Sequence, residues 1–250
     1  MADFSGMTAL VTGASNGIGA ETAVRLGAGG ANVLVHYNSA AAEAEQVLDR
    51  IRAAGGCGMT VQADLTTMSG THGLIEQVRA QPVDILVNNA GSLIRRTGTL
   101  EMTEEIWDKT MMLNLTSAFF LTQALLPGML DRGRGFIVNV SSVAARTGGG
   151  VGAGAYAAAK AAISALTKNL TKEFAAKGIR VNCVSPGTID TNYHRQFSNE
   201  QMLNAVRAAT PLGRLGTSDE IADLIVYLCT PGASYMQGQV IEINGGFLMA

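Results

Sequence analysis

Tyr156 and Lys160 stand four residues apart in the run GAGAYAAAK (152–160), where every other residue is alanine or glycine. Alanine is the best helix former, so a helix is expected from about residue 155. A spacing of four puts the phenol and the ammonium on one face, about one turn apart. Such a pair can do acid–base chemistry. A phenol with a pKa near 10 is a poor proton shuttle at neutral pH. A cation within a few ångströms can lower that value by roughly 1–3 units. On these nine residues alone, a core tyrosine beside a solvated lysine is the simpler reading. The rest of the chain must supply a cleft and a reaction partner.

The run TGASNGIG (12–19) supplies a candidate. It follows the apolar stretch MTALVT (7–12), read as a buried strand, and opens a predicted helix. That context is what a phosphate-binding turn requires. Gly13 permits the tight turn, and Gly17 and Gly19 let backbone amides approach a pyrophosphate at the positive helix end. The spacing is not GxGxxG, so a glycine-lined turn without a ligand is the plain alternative. Placement in the first βα unit favours a dinucleotide. The second strand ends His36-Tyr37-Asn38-Ser39, with no acid before Glu43 to hold a ribose hydroxyl or repel a 2′-phosphate. Asn16, Asn38 and Ser39 could bond that phosphate, but no Arg or Lys lies between Arg25 and Arg50. NADP is therefore the preferred cofactor, with NAD as the alternative.

Elements that would position these groups alternate along the chain. Further strands are expected at 32–37, 59–64, 84–89, 135–142, 178–185 and 239–244, apolar along their length. Helices are expected at 40–54, 69–80, 103–129, 155–176 and 218–230. This pattern predicts an α/β fold: a single Rossmann-like domain over 1–250, doubly wound, with a parallel sheet of about seven strands and helices on both faces. A single irregular insertion at about 188–217 reads as a substrate lid.

Composition narrows the function. The 250 residues include 30 glycines, only 15% are charged, and the formal net charge is −2 without a basic block. Disorder and a nucleic-acid partner are not expected. Cys57, Cys183 and Cys229 are widely spaced and read as reduced thiols of a cytoplasmic protein. His36, His72 and His194 show no metal-ligand spacing, so no metal is expected. Asp3 and the early strand leave no room for a secretory signal. The uncharged stretch 110–130 has the length of a membrane span. Asn114, Thr116, Ser117, Thr122, Gln123 and Pro127 interrupt it, so a helix buried between the sheet and a second subunit is expected, and no membrane partner.

Taken in order, TGASNGIG (12–19), Asp64-Leu65, NNAG (88–91), Asn114, Ser142, YAAAK (156–160) and Pro186-Gly187 resemble the short-chain dehydrogenase/reductase family over essentially the whole chain. Within it the sequence is most similar to the 3-oxoacyl-acyl-carrier-protein reductase branch. The resemblance implies that Ser142, Tyr156 and Lys160 do the chemistry, and that Asn114 holds a helix distortion and a proton-relay water. It implies a cofactor site of Gly13, Ser15, Asn16, Gly17, Ile18, Gly19, Asn38, Ser39, Asp64, Leu65, Asn89, Ala90, Gly91, Tyr156, Lys160, Pro186, Gly187, Thr188 and Ile189. The loop from Ser142 to Tyr156 is about a residue longer than the commonest family spacing. Ser142 is preferred to Ser141 because strand alternation points neighbours to opposite faces.

The expected reaction is NAD(P)H-dependent reduction of a ketone, of the 3-oxoacyl-thioester type, with the tyrosine as proton donor. A sugar or sugar-acid dehydrogenase is the alternative, and a non-catalytic dinucleotide sensor the alternative of another class. Basic residues of the expected pocket walls, Arg95, Arg96, Arg146, His194 and Arg195, favour an anionic substrate if they point inward. Arg132, Arg134 and Lys177 could offer a surface to an acidic acyl carrier. The resemblance further implies a homotetramer.

Overall fold

The computed structural model describes residues 2–191 and 197–249. Short, β-branched apolar runs form strands, and longer alanine-rich runs form the helices between them. In chain order these are β1 (Thr8–Val11), α1 (Gly17–Ala28), β2 (Asn32–Tyr37), α2 (Ala41–Ala53), β3 (Cys57–Gln62), α3 (Met68–Val78) and β4 (Val83–Asn88). There follow α4 (Glu104–Met111), a π-helical segment (Met112–Thr116), α5 (Ser117–Asp131), β5 (Gly135–Val140), α6 (Ala144–Thr147) and α7 (Gly154–Phe174). The last elements are β6 (Ile179–Pro186), α8 (Glu200–Ala209), α9 (Ser218–Leu228) and β7 (Val240–Ile243).

The seven strands form one sheet in the order β3-β2-β1-β4-β5-β6-β7, each pair parallel. Helices cover both faces, which is why β1 and β4 are buried along their whole length. One apolar layer joins Val11, Val33, Val35, Leu26, Ile51 and Ile225. The opposite layer joins Leu10, Leu34, Leu86, Leu121, Ile137 and Leu170. The strand order reverses between β1 and β4, and the cleft opens there at the carboxyl ends of the strands.

Two expectations change. β3 begins at Cys57, earlier than the apolar pattern indicates, because Gly58 sits inside it with no side chain to show the alternation. A Cβ at Gly58 would run into the Val33 carbonyl, so the close approach of β2 requires glycine there. The stretch 188–217 is not irregular throughout, since it holds α8, capped by Asn199 accepting from the Met202 amide. No residue of α8 is buried, so its sequence carries no core stripe to reveal it; Asn199 followed by Glu200 was the available signal. Thr188 and Gly216 bond across the base of the stretch at 3.0 Å.

The apolar segment 104–131 is one helix, long and apolar enough by length and composition to cross a membrane. Ser117, Leu121, Thr122, Leu126 and Met129 are buried, while Trp107 and Phe119 are exposed.

A buried polar network fastens α5 and α7 to the sheet. Asn88 Nδ2 donates to Asn139 Oδ1 (2.9 Å) and Thr122 Oγ1 (3.2 Å), and Asn139 Nδ2 donates to Thr167 Oγ1 (2.9 Å). Asn139→Ala strands Asn88 on β4 and Thr167 on α7, so a loss of about 2–3 kcal/mol is expected by urea unfolding. A loss below about 0.5 kcal/mol would refute the role given to this network.

Candidate active site

The cleft is a cavity of about 720 Å³ lined from the glycine-rich turn to the lid. Whether it suits a dinucleotide can be judged from α1. Its N-cap, Asn16, makes no side-chain cap bond, and its first turn holds no acid. By contrast Thr67, Thr103, Asn199 and Thr217 cap α3, α4, α8 and α9. The first amides of α1 therefore stay available to an anion at the positive helix end. Gly13 and Gly17 have φ of 63° and 56°, left-handed values that suit glycine. A Cβ at Gly19 would strike the Gly13 carbonyl and come within 2.5 Å of Asn89 Nδ2. These residues fit a pyrophosphate.

Of the predicted cofactor residues, Gly13, Ser15, Asn16, Gly17, Ile18, Asn38, Ser39, Asp64, Leu65, Asn89, Ala90, Gly91, Pro186, Gly187, Thr188 and Ile189 line the cavity. Gly19 lies behind it, as a packing glycine. Asn89 also acts as a clamp, its Nδ2 donating to the Thr12 and Gly13 carbonyls at 2.8 and 3.1 Å. Thr12 Oγ1 accepts from the Asn89 and Ala90 amides. Asp64 Oδ1 accepts from the Thr66 amide and hydroxyl.

Tyr156 and Lys160 both line the cleft from α7. Ser142, just past β5, lines the same cleft. Ser141 faces the other way: its hydroxyl bonds the Lys160 carbonyl (2.7 Å) and Ser164 Oγ (2.8 Å), fixing the backbone that carries the lysine. The two serines, both past the end of β5, thus point apart as expected. Lys160 is 3% exposed; Nζ donates to the Val140 carbonyl at 2.8 Å and sits 5.6 Å from the Tyr156 ring centre.

Asn114 lies in the π-helical segment, at the expected distortion, and is buried behind the cleft wall. Its side chain accepts from the Ser92 amide (3.1 Å) and donates to the Ser92 and Thr110 carbonyls (both 2.8 Å). It therefore pins the loop after β4. A Cβ at Gly91 would meet Asn114 Oδ1 at 2.7 Å and Lys160 Nζ at 2.8 Å, so glycine is needed where they converge.

The electrostatics differ from the expectation that the ammonium acidifies the phenol. Burial pushes the Tyr156 phenol up to about 12, opposed by the Ser142 hydrogen bond. Burial also brings Lys160 down to about 8. In the free cleft desolvation outweighs the attraction, because the ammonium lies against the ring and the Val140 carbonyl.

The basic residues expected around the substrate are also rearranged. Arg95 and Arg146 are exposed and do not line the cavity. Arg146 instead approaches Glu242 at 3.9 Å. His194 and Arg195 lie outside the described residues. Arg96 does line the cavity, donating to the carbonyls of Val151 (2.8 Å) and Phe197 (3.1 Å). The reversal comes at Ile94, whose φ of 59° accompanies an Arg95 N–H bond to the Leu93 carbonyl (2.6 Å). Such a γ-turn is strained for a β-branched residue, and no sequence pattern announces it. Arg132 and Arg134 both bond Asp84, at the amino end of β4 and so at the opposite end of the sheet from the cleft. Lys177, ahead of β6, lies at that end too, over the Phe174 ring. The surface expected to receive an acyl carrier therefore faces away from the cleft.

Sequence reasoning missed His36 and Val206 among the lining residues. Thr191, within the expected lid stretch, lines the cavity too; a Cβ at Gly17 would touch its methyl at 3.4 Å.

Known proteins share this arrangement. The family model described as enoyl-(acyl carrier protein) reductase matches residues 13–248. The chain is 38% identical over 252 residues to the 3-oxoacyl-[acyl-carrier-protein] reductase of Synechocystis, spanning 100% of both chains. It is 38% identical over 251 residues to the enzyme of that name from Escherichia coli, spanning 99% of each. A solved structure described as an NAD(P)-dependent gluconate 5-dehydrogenase from Beutenbergia cavernae, with bound NADP, superposes with a TM-score of 0.93 at 33% identity over 99% of both chains. The angucycline C-6 ketoreductase LanV, also with NADP, gives 0.91 at 32% over 100% of this chain and 98% of its own.

The buried ammonium has a consequence for stability. The Lys160 pKa falls from 10.5 to about 8 on folding, so the unfolded chain holds more protons between those values and stability rises with pH across that window. Lys160→Met removes this limb and, at pH 7, is expected to raise stability by up to about 3 kcal/mol. Urea unfolding at pH 7, 8 and 9 tests it. A wild-type-minus-variant difference independent of pH would contradict the shift.

Proposed function

The chain belongs to the short-chain dehydrogenase/reductase family, and on that premise we propose that it is a ketoreductase drawing hydride from NADPH. The observation that carries the reading is that Ser142, Tyr156 and a buried Lys160 line one cleft, with the lysine over the phenol ring. When bound, the nicotinamide supplies hydride to the carbonyl carbon. Tyr156 gives its phenolic proton to the carbonyl oxygen. Ser142 donates to the same oxygen as negative charge grows there. Lys160 holds the face of the phenol ring, and its charge stabilises the phenolate left behind. A phenol raised to about 12 is fully protonated at neutral pH, which suits the reductive direction. The reverse reaction needs tyrosinate as base, and the free cleft disfavours it. Asn114 keeps the loop at Ser92 in place. The stretch 188–217 would serve as the substrate lid of one domain.

A 3-oxoacyl thioester is the favoured substrate, by likeness to the reductases of that name. A second reading, a sugar-acid dehydrogenase, gains support from Arg96 in the cavity and from the gluconate-dehydrogenase-like neighbour. A non-catalytic sensor is disfavoured, since a complete proton-donating set serves no purpose in binding alone. NADP is favoured over NAD: Asn38 and Ser39 line the cavity with no acid after the second strand before Glu43, and the two neighbours cited hold NADP. Free cysteines suit a cytoplasmic setting. The apolar face carrying Trp107 and Phe119 would be covered by another copy in a homotetramer.

Tyr156→Phe should lower kcat by about 10²–10⁴-fold. NADPH affinity, followed by fluorescence titration, should stay within about threefold of the parent value. Loss of both, or of neither, would sink the proton-donor role. Assay of 3-oxoacyl thioesters, simple ketones and sugar acids, each with NADPH and NADH, separates the two substrate readings. Turnover confined to sugar-acid oxidation would favour the second. Multi-angle light scattering should give four times the chain mass, and a monomer would contradict the tetramer.

A further inference from the structure

His36 has no part in the chemistry above, yet it lines the cavity while only 2% exposed. Val33, Val35 and Tyr37 of β2 pack into one apolar layer, and alternation turns His36 to the other side. There its ring joins three segments. The Gly13 amide donates to Nδ1 at 3.0 Å, and Nε2–H donates to the Ala63 carbonyl at 3.2 Å. Main-chain bonds flank the ring: the Ala14 amide donates to the His36 carbonyl (2.7 Å), and the Ala63 amide to the Tyr37 carbonyl (3.0 Å). An imidazole that accepts an amide proton at Nδ1 must be neutral and protonated at Nε2. Burial enforces this, taking its pKa down to about 4. Asp64 and Tyr37 are the ionisable groups on the adjoining strand ends. Asp64 Oδ1 is taken up by Thr66, and Tyr37 packs on the other face.

We propose that His36 is a positioning residue for the dinucleotide: by holding the Gly13 amide it sets the phosphate-binding turn before the cofactor arrives. The proposal rests on the dinucleotide reading of the cleft. Gly13 sits at φ 63°, in a turn whose carbonyl is held by Asn89 from one side and whose amide is held by His36 from the other. Glycine left free samples many conformations, and an ordered turn spares that entropy when a pyrophosphate binds. Ala63 lies directly before Asp64 and Leu65, so the same ring ties the turn to that wall of the cavity.

Three variants test it. His36→Phe fills the space without an acceptor. His36→Gln sets its polar end near the Ala63 carbonyl and beyond reach of Gly13. His36→Asn places an oxygen where Nδ1 stood. NADPH dissociation constants at pH 7 should rise about 10–100-fold for Phe and Gln and stay within about threefold for Asn, with kcat at saturating NADPH nearly unchanged in all three. Amide hydrogen exchange of residues 12–16 in the cofactor-free protein should quicken in Phe and Gln and not in Asn. Equal NADPH affinity in all variants, or equal loss in Asn and Phe, overturns the proposal. A wild-type chain that binds neither NADPH nor NADH overturns the cofactor reading instead, while the exchange data still report on the hold at Gly13.

Discussion

A lysine ammonium held out of water with no carboxylate beside it is the constraint on which the site depends. Lys160 is 3% exposed, and among the described residues it forms no ion pair; Nζ rests on the Val140 carbonyl and the face of Tyr156. Desolvation of that charge opposes folding, so the surroundings must hold it firmly. Ser141 and Ser164 bond its carbonyl, Gly91 leaves room for its tip, and Asn114 fixes the loop above. The buried Ala157 and Ala159 let α7 lie close to β5, where the Val140 carbonyl is found. An ammonium so placed is poised to answer a negative charge on the phenol, which water would otherwise screen.

The dinucleotide side of the cleft is built on another principle. No cation lies between Arg25 and Arg50, and the turn relies on backbone amides at an uncapped helix end. Amides bind phosphate well only when aimed, and the aiming comes from side chains whose polar ends are used up inside the protein. Asn89, Thr12 and His36 hold the turn from three directions. The residues that line the cavity and those that order it are thus partly the same.

Much of this was legible in the chain. Apolar runs separated by helical stretches predict the parallel sheet, and the order of the motifs predicts which strand ends meet. That Ser141 and Ser142 point apart could be read from their adjacency, and the family resemblance chose Ser142. Less was legible where an effect depended on a single backbone angle or on burial. Of the two neighbouring arginines expected at the cavity, Arg96 and not Arg95 lines it after the strained turn at Ile94, and α8 hides in the expected lid because it buries nothing. Arg132, Arg134 and Lys177 read as a docking surface until the sheet puts them at its far end.

The sequence by itself determined the fold class, the glycine-rich turn and the shared helix face of Tyr156 and Lys160, because periodicity and local spacing are properties of the chain. The tertiary structure decided the protonation balance of Tyr156 and Lys160, which arginine among the described residues reaches the cavity, and the clamp that His36 makes on Gly13. Those depend on solvent exclusion and on atoms distant in sequence being brought within about 3 Å. Neither is encoded in the order of neighbouring residues.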